Sequence, residues 1–540
     1  MPDLIRRTVC EQIKLSAERF GVRTAFAFPK EGKRLSYAEL DAATDATARA
    51  LLALGLGQGS HIGIWGPNTS RWLVLALAAA KIGVVFVPLN TSYRFRELSD
   101  IVERADVDCL FVMDQFKGED CWEISRGFRP RSAQFPQLAE VISMGLDDAD
   151  GRHRTWASFA RGAAEASDET LARAQARIAP EDDYIIQYTS GTTARPKGVV
   201  LSQFSALNMG AAFGQIMGLH QGDVTCVPLP LFHCYGNVLT LLSGLVVGAA
   251  TVYLPHFRTG DTLAALEEER CTVFQGVPTM HLALVNAPER ATCDLGALTK
   301  GGIGGDSCPP AVVELIAAQL GMPQLTQGYG LSEAASLCLI SDVTDTAEHR
   351  MRTVGYPVPG TEAMIWNSTT GAPAARGTVG EILVRGMGVM KGYYKAPDLT
   401  AATIDADGWL HTGDLGKQNP DGSYQFTGRI KDIIIRGGEN ISPSEIEELM
   451  TQWDGVSACQ CVGVPDRLMG EDVACCLIPV DGRDFSPSAV RAYVASRLAS
   501  FKVPKHVLTM DSFPLNAAGK VVKSELALKV AQMLGLPGEL

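Results

Sequence analysis

The sequence predicts an α/β protein: a large N-terminal domain of βα-rich subdomains plus a small β unit, followed by an α+β C-terminal domain. Three observations point there. Up to about residue 350, short apolar runs alternate with segments apolar on one helical face, as in buried strands joined by helices. From Val354 short strands and glycine turns take over, including Gly380-Glu-Ile-Leu-Val-Arg-Gly386 and Gly408-Trp-Leu-His-Thr-Gly-Asp414. After Gly428-Arg-Ile-Lys431 the texture shifts to a mixed module of roughly a hundred residues, a common domain size. A chain of 540 residues exceeds one hydrophobic core, and this shift divides it into domains 1–430 and 431–540.

Taken in order, Ser36-Tyr-Ala-Glu39 has the form of a capping box and opens a helix with Leu40, Ala43, Thr47, Leu51 and Leu54 on one face. This helix is expected to begin the first layered unit. Residues 61–65 read as a strand, 66–68 as a turn, 71–82 as an apolar helix and 84–88 as a second buried strand, which is βαβ grammar. Another strand follows at 109–113, and the polar, irregular stretch 115–182 is assigned no order. A strand resumes at Tyr184, with a helix from Phe204.

Residues 224–254 contain no Asp, Glu, Lys or Arg, but Pro228, Pro230, Gly236, Gly244 and Gly248 interrupt them too often for a membrane span. They read as strand, loop, buried helix, strand. A helix at 263–269, a strand at 272–275, and a turn at 276–279 into another helix come next. Gly301-Gly-Ile-Gly-Gly305 precedes a helix through Leu320, and a strand at 324–326 enters Gln327-Gly-Tyr-Gly-Leu-Ser-Glu333. In the last module, Ser442-Pro-Ser-Glu445 reads as a capping box with proline at the first helical position, followed by Ile446, Leu449 and Met450. Strands at 459–464 and 473–480 and a helix at 487–498 complete it.

Lys and Arg total 48 against 60 Asp and Glu, a net charge of -12, with no basic run. This argues against nucleic acid or an anionic membrane as the main partner. The thirteen cysteines are scattered; Cys459-Gln-Cys461 and the adjacent Cys475 and Cys476 lack zinc-ligand spacing, so they read as core residues in a reducing compartment. Asp3, Arg6, Arg7, Glu11 and Lys14 leave no apolar secretory leader, and a cytoplasmic location is expected.

The most informative stretch is Tyr188-Thr-Ser-Gly-Thr-Thr-Ala-Arg-Pro-Lys-Gly198. Thr189, Ser190, Thr192 and Thr193 surround Gly191 with hydroxyls, and Lys197 adds a point charge, as a phosphate-holding loop requires. Its lysine follows Pro196 instead of the glycine of a Walker A loop, so the turn has another shape.

With Pro230-Leu-Phe-His233, Gly328-Tyr-Gly-Leu-Ser-Glu333, Gly408 to Asp414, Gly428 to Lys431, and Gly519-Lys520 following in order, the chain resembles the adenylate-forming superfamily of acyl-CoA synthetases, peptide-synthetase adenylation domains and beetle luciferases. Each string is weak alone; six in sequence are specific. The resemblance implies that the C-terminal domain is mobile and turns about Lys431 between two catalytic poses. It also implies that ATP first activates a carboxylate as an acyl-adenylate, and that CoA then receives the acyl group.

By the same resemblance, the 189–198 loop holds the β- and γ-phosphates, and Glu333 holds Mg²⁺, a hard cation suited to carboxylate oxygens. Tyr329 stacks on adenine within the Gly328, Gly330 and Ser332 turn, with Gly305, Asp306 and Ser307 beside it. Asp414 accepts the ribose hydroxyls and Arg429 touches the ribose. Lys520, read alone a solvated lysine, becomes the catalytic cation, while Gly437, Gly438 and Glu439 line the pantetheine tunnel. His233 is a gate beside an acyl pocket whose other candidates are Phe232, Tyr235, Val277, Gly302, Gly304 and Gln327. The glycines suggest room for a chain or a ring.

The finer wording, Ile433-Ile-Ile-Arg-Gly-Gly-Glu-Asn-Ile441 and Phe501-Lys-Val-Pro-Lys505, is similar to medium-chain fatty acyl-CoA synthetases, and aryl and carbocyclic acid ligases share much of it. Ala194, Ser332, Asp306 and Asn516 depart from the usual residues without removing an assigned charge. The implied partners are a small-molecule carboxylic acid, ATP and CoA, with a homo-oligomer allowed and neither nucleic acid nor an integral membrane segment. Two alternatives stand beside this reading: transfer to a carrier-protein pantetheine arm, and a non-catalytic nucleotide-binding or scaffold protein.

Overall fold

The computed structural model describes residues 4–145, 154–189, 196–306, 308–437, 439–480, 483, 485–516 and 520–536. Two large sheets lie in the N-terminal part. An eight-stranded sheet has parallel neighbours at Asp183–Thr189, Val85–Leu89, His61–Trp65, Cys109–Val112 and Glu140–Ser143. A nine-stranded sheet runs parallel through Gln324–Tyr329, Lys300–Ile303, Val273–Gly276, Val224–Val227, Ala250–Tyr253 and Thr24–Phe28. One apolar core joins residues of both sheets, such as Phe86, Tyr184 and Val227, to helices Tyr37–Ala53, Ser70–Lys81, Gln203–Ile216 and Leu241–Val247. The helix Ser70–Lys81 is buried at every position but Arg71, which explains its nearly continuous apolar sequence. Its Lys81 ammonium, at 0% exposure, is paired with Asp41 at 2.5 Å and Asp45 at 2.7 Å.

The small β unit is a five-stranded antiparallel sheet that includes Thr361–Asn367, Gly380–Gly386, Leu410–Gln418 and Tyr424–Arg429. After the short 3₁₀ turn Ile430–Asp432, the smaller C-terminal domain builds its own sheet around the hairpin Val456–Asp466 and Gly470–Pro479, covered by helices Pro443–Thr451 and Pro487–Ala495. The uncharged block at 224–254 is strand, loop, helix, strand, as expected, with a π-helical turn at Tyr235–Thr240 feeding helix Leu241–Val247. No helix among the described residues is long and apolar enough to cross a membrane.

Three expectations change. The first layered unit does not begin at Ser36: helix Val9–Phe20 and strands Thr24–Phe28 and Lys33–Ser36 precede it. A capping box at Thr8 and Glu11, of the same form as the one at Ser36 and Glu39, marks that earlier start. The glycine-rich 301–305 segment is partly a central strand, Lys300–Ile303, because side chains of neighbouring elements fill the space its glycines leave. Finally, the helix at Pro443 forms but its capping box does not. Ser442 and Ser444 both donate to the Thr427 carbonyl, at 2.7 and 2.6 Å, and Glu445 pairs with Lys502.

Candidate active site

The site is assembled where both large sheets, the small β unit and the C-terminal domain meet. Strands Leu410–Gln418 and Tyr424–Arg429 are paired with Asp414 opposite Arg429, so the register itself sets carboxylate beside guanidinium, Oδ1 to Nε 3.2 Å. The other Asp414 oxygen accepts from Tyr329 Oη at 2.7 Å. Tyr329 ends strand Gln324–Tyr329, and its ring stacks on Phe426 at 5.8 Å. Burial raises the Asp414 carboxyl above its ordinary value, and the Arg429 guanidinium and Tyr329 hydroxyl pull it back.

The turn after Tyr329 demands glycine at position 330, where a β-carbon would lie 2.1 Å from the Ser336 carbonyl oxygen. It leads to Ser332, whose hydroxyl meets Cys234 Sγ at 3.5 Å, and to Glu333, which accepts from Tyr393 Oη at 2.9 Å through Oε1. Lys197 lies over the face of the same Tyr393 ring, 5.2 Å from its centroid. Thr189 and Lys197 are paired across the hairpin that carries the loop. Ser190, Gly191, Thr192 and Thr193 lie outside the described residues, as do Ser307 and Gly438.

Lys520 enters from the C-terminal domain. Its backbone exchanges hydrogen bonds with Asn516, donating to Oδ1 at 3.0 Å and accepting from the amide at 2.8 Å. A β-carbon on Gly305 would sit 3.4 Å from Lys520 Cε and 3.2 Å from Val277 Cγ1. Burial lowers the Lys520 pKa, while Asp306 and Asp414 oppose this and Arg429 adds to it. Lys431 is likewise lowered, by burial and then by Arg429. Arg429, Lys431 and Lys520 thus form a cationic cluster around Asp414 and Asp306, suited to a polyanion and a carboxylate.

His233 is held at the end of a loop whose backbone is tied down by buried amides. Gln187 Nε2 donates to the Phe232 carbonyl at 2.9 Å, Asn237 Nδ2 to the Leu231 carbonyl at 2.9 Å, and Asn68 accepts the Leu231 amide at 2.8 Å. Burial and then the Lys520 ammonium lower the His233 pKa to about 4, so the imidazole is neutral at neutral pH. Its Nε2 is buried without a hydrogen-bond partner among the described residues.

The room expected above the glycines is partly taken. A β-carbon on Gly302 would meet Gln275 Oε1 at 2.2 Å, and one on Gly304 would meet the Tyr235 ring at 3.2 Å. Tyr235 Oη donates to Gln275 Oε1 at 2.8 Å. Gln327 is tied outward, its amide donating to the Met351 carbonyl at 2.8 Å. Gly437 and Glu439 sit at a hairpin turn, where Arg436 pairs with Glu439 and the Gly437 amide donates to the Met469 carbonyl at 2.8 Å. Those contacts are internal to the C-terminal domain, whereas the Lys520 side chain approaches Gly305 of the N-terminal domain.

Tyr393, Phe426, Gln187 and Gln275 belong to this neighbourhood and were not singled out from sequence. Tyr393 had a signal, the Lys391-Gly-Tyr-Tyr-Lys395 string of two rings flanked by cations; the others read as ordinary strand residues. Cys459, Cys461 and Cys475, dismissed on spacing, lie with sulfurs within 4.8 Å of one another, because antiparallel register sets Cys461 opposite Cys475.

A family model described as AMP-binding enzyme matches residues 13–394, and one described as AMP-binding enzyme C-terminal domain matches 445–520. A putative acyl-CoA synthetase of Bacillus subtilis, YngI, is 36% identical over 99% of this chain and 99% of its own. The mitochondrial medium-chain acyl-CoA ligase ACSF2 of Macaca fascicularis is 32% identical over 99% of this chain and 88% of its own. Among solved structures, ATP-bound MatB from Rhodopseudomonas palustris is similar at a TM-score of 0.85 and 28% identity, covering 98% of this chain and 100% of that one.

Proposed function

We propose residue roles and a substrate class for this chain, which belongs to the AMP-binding enzyme family and within it to the adenylate-forming acyl-CoA synthetases. Enzymes of this family act on a carboxylic acid with ATP and CoA. The observation that carries our reading is the seating of Lys520, from the C-terminal domain, between Gly305 and the charge cluster of Asp306, Arg429 and Asp414.

In the first half-reaction the acid's carboxylate oxygen attacks the α-phosphorus of ATP and pyrophosphate leaves. The mixed anhydride gives the acyl carbon a good leaving group, which a free carboxylate lacks. Lys520 draws the attacking carboxylate and the α-phosphate together and offsets their repulsion, so the gain lies in positioning and charge stabilisation. Asp414 accepts the ribose hydroxyls and Arg429 flanks them. Tyr329 packs on adenine beside Gly328, Gly330, Ser332, Gly305, Asp306 and Ser307, and Lys197 with the 189–193 hydroxyls holds the departing phosphates.

Glu333 has the right donor chemistry for Mg²⁺: its carboxylate is only half-buried and, among the described residues, only Oε1 is engaged, by Tyr393. With phosphate oxygens it would hold the ion, which supplies charge neutralisation at the triphosphate when bound. Neutral His233 then stands at the acyl side, where it can rotate from the path of the thiol without carrying a charge.

In the second half-reaction the CoA sulfur attacks the acyl carbon and AMP leaves, so Lys520 has to withdraw. We place the domain boundary between residues 430 and 431 with Lys431 as the hinge, supported by the short turn Ile430–Asp432 between two independent sheets. Gly437, Gly438 and Glu439 then line the pantetheine path. The acid we propose is medium-chain, carbocyclic or aromatic, supported by ACSF2, named a medium-chain ligase. CoA is preferred over a carrier protein as acceptor because the relatives are named CoA synthetases and ligases. The cytoplasm is the compartment we propose, on the strength of thirteen free cysteines, all buried but Cys293.

The test is a broad acid panel with ATP, Mg²⁺ and CoA, read by mass spectrometry. Acyl-CoA, AMP and pyrophosphate from at least one acid are expected. Acid-dependent pyrophosphate exchange with transfer only to a pantetheinylated carrier protein would favour the carrier reading, and no exchange with any acid would favour a non-catalytic protein.

A further inference from the structure

Gln275 lies in a central strand of the nine-stranded sheet and is 0% exposed. Its register partner is Gly302, where a β-carbon would lie 2.2 Å from Gln275 Oε1, so the missing side chain leaves the amide its place over that strand. Oε1 accepts from Tyr235 Oη at 2.8 Å, while Nε2, which carries two N–H donors, is buried with no partner among the described residues. A buried amide nitrogen left unpaired is costly, and native interiors avoid it unless something completes the bond. Interchanging the two ends of the amide changes nothing in the count, since Nε2 would then serve Tyr235 and Oε1 would be stranded.

The position of this amide relative to the reacting end follows from the backbone. Gly302, beside Gln275, and Gly305, beside Lys520, are three residues apart, a reach of at most on the order of 10 Å. Gly304, between them, lies under the Tyr235 ring. An acid with its carboxylate at Lys520 and its tail passing the Tyr235 ring, which covers Gly304, toward Gly302 would bring its far end to Gln275. Tyr235 is itself locked, packed edge-on against Phe213 with ring centroids 6.3 Å apart, so the amide cannot turn away freely.

We propose that Gln275, oriented by Tyr235, selects an acid that bears a hydroxyl at the end remote from its carboxylate. This rests on the acyl-CoA synthetase reading above and narrows its substrate class to hydroxylated medium-chain, carbocyclic or aromatic acids. A hydroxyl both accepts and donates, so it completes the Gln275 amide in either orientation. An unsubstituted acid of the same length leaves the amide unpaired and sealed from water, which is how a polar pocket rejects an apolar analogue.

The experiment compares matched pairs: ω-hydroxyoctanoate with octanoate, ω-hydroxyhexanoate with hexanoate, para-hydroxybenzoate with benzoate. Pyrophosphate exchange gives kcat/KM for each acid with the wild-type enzyme and with Gln275→Leu. The expected result is a preference of about tenfold or more for the hydroxy acid in at least one pair, falling below about threefold in the variant as the plain acid improves. Ratios near one in every wild-type pair overturn the proposal without reference to any variant. A preference that survives in Gln275→Leu also overturns it, because another group then reads the hydroxyl. Where the leucine variant does not fold, Gln275→Met is measured in its place. Exchange with every acid but no preference removes only this inference, whereas exchange with none removes the ligase reading as well.

Discussion

Asp414 and Gln275 are both buried polar side chains on strands that frame the same cleft, and they are used in opposite ways. Asp414 is engaged on both oxygens, by Arg429 and Tyr329, and stands in a cluster with Lys431 and Lys520. Gln275 is engaged at one end, and the nearby His233 imidazole also keeps a buried unpaired nitrogen. Around Asp414 the nucleotide side is thus a network already braced by the protein's own groups, the kind that holds charges in place ahead of a reaction. The acyl side is incomplete, and its completion is left to the acid. A family that keeps one nucleotide and changes its acids has reason to build the two sides differently.

The largest break in this comparison is removal of the charge that serves both sides. Lys520→Ala is expected to lower adenylation by about 10²- to 10³-fold in pyrophosphate exchange, as the loss of one positioned charge stabiliser does; near wild-type exchange would remove Lys520 from the chemistry. Next is acid stability. Burial lowers both His233 and His281 to about 4, against about 6.5 when unfolded. Their neutral forms support the fold fully above that unfolded value, and the support is lost as pH falls towards 4. For His281, at 0% exposure, the loss is on the order of 3 kcal/mol at the acid end. Urea titrations at pH 7 and pH 4.5 on the wild type and His281→Gln check this, and equal pH slopes in the two would count against a buried neutral imidazole.

Smaller effects sharpen the contrast. Tyr329→Phe removes one donor from Asp414 and leaves Arg429 in place, so the ATP KM should rise by roughly threefold to tenfold while adenylation persists; an unchanged KM would mean the Tyr329 hydroxyl is dispensable. Ala194→Gly addresses the loop on the nucleotide side, where added backbone freedom should alter the ATP KM by no more than about threefold, read from initial rates.

Much of the molecule was legible because its signals are local. The capping box at Ser36 follows from a few adjacent residues, whereas the stretch 276–279, read as a turn, already opens a helix at Pro278. The strings that carry Tyr329 and Asp414 likewise sit on single strands. What escaped was set by cross-strand neighbours. Ser442 abandoned its cap because the Thr427 carbonyl, on another strand, was available. The sulfurs of Cys459, Cys461 and Cys475 meet only through hairpin register, and the space over Gly302 is filled by Gln275 from the adjacent strand. None of these partners can be read from spacing along the chain.

The strand Thr24–Phe28 has one more consequence, for how the chain is made. Its parallel partner is Ala250–Tyr253, with Phe26 beside Thr251. A ribosome therefore delivers the first strand long before the surface it must join exists. The strand can form its local hairpin with Lys33–Ser36 at once, but the apolar side that enters the core stays uncovered until the segment around residue 250 has emerged. Closing so long a loop adds an entropic barrier late in folding. Until then the N-terminal hairpin keeps one strand edge unpaired, the kind of exposure that favours aggregation.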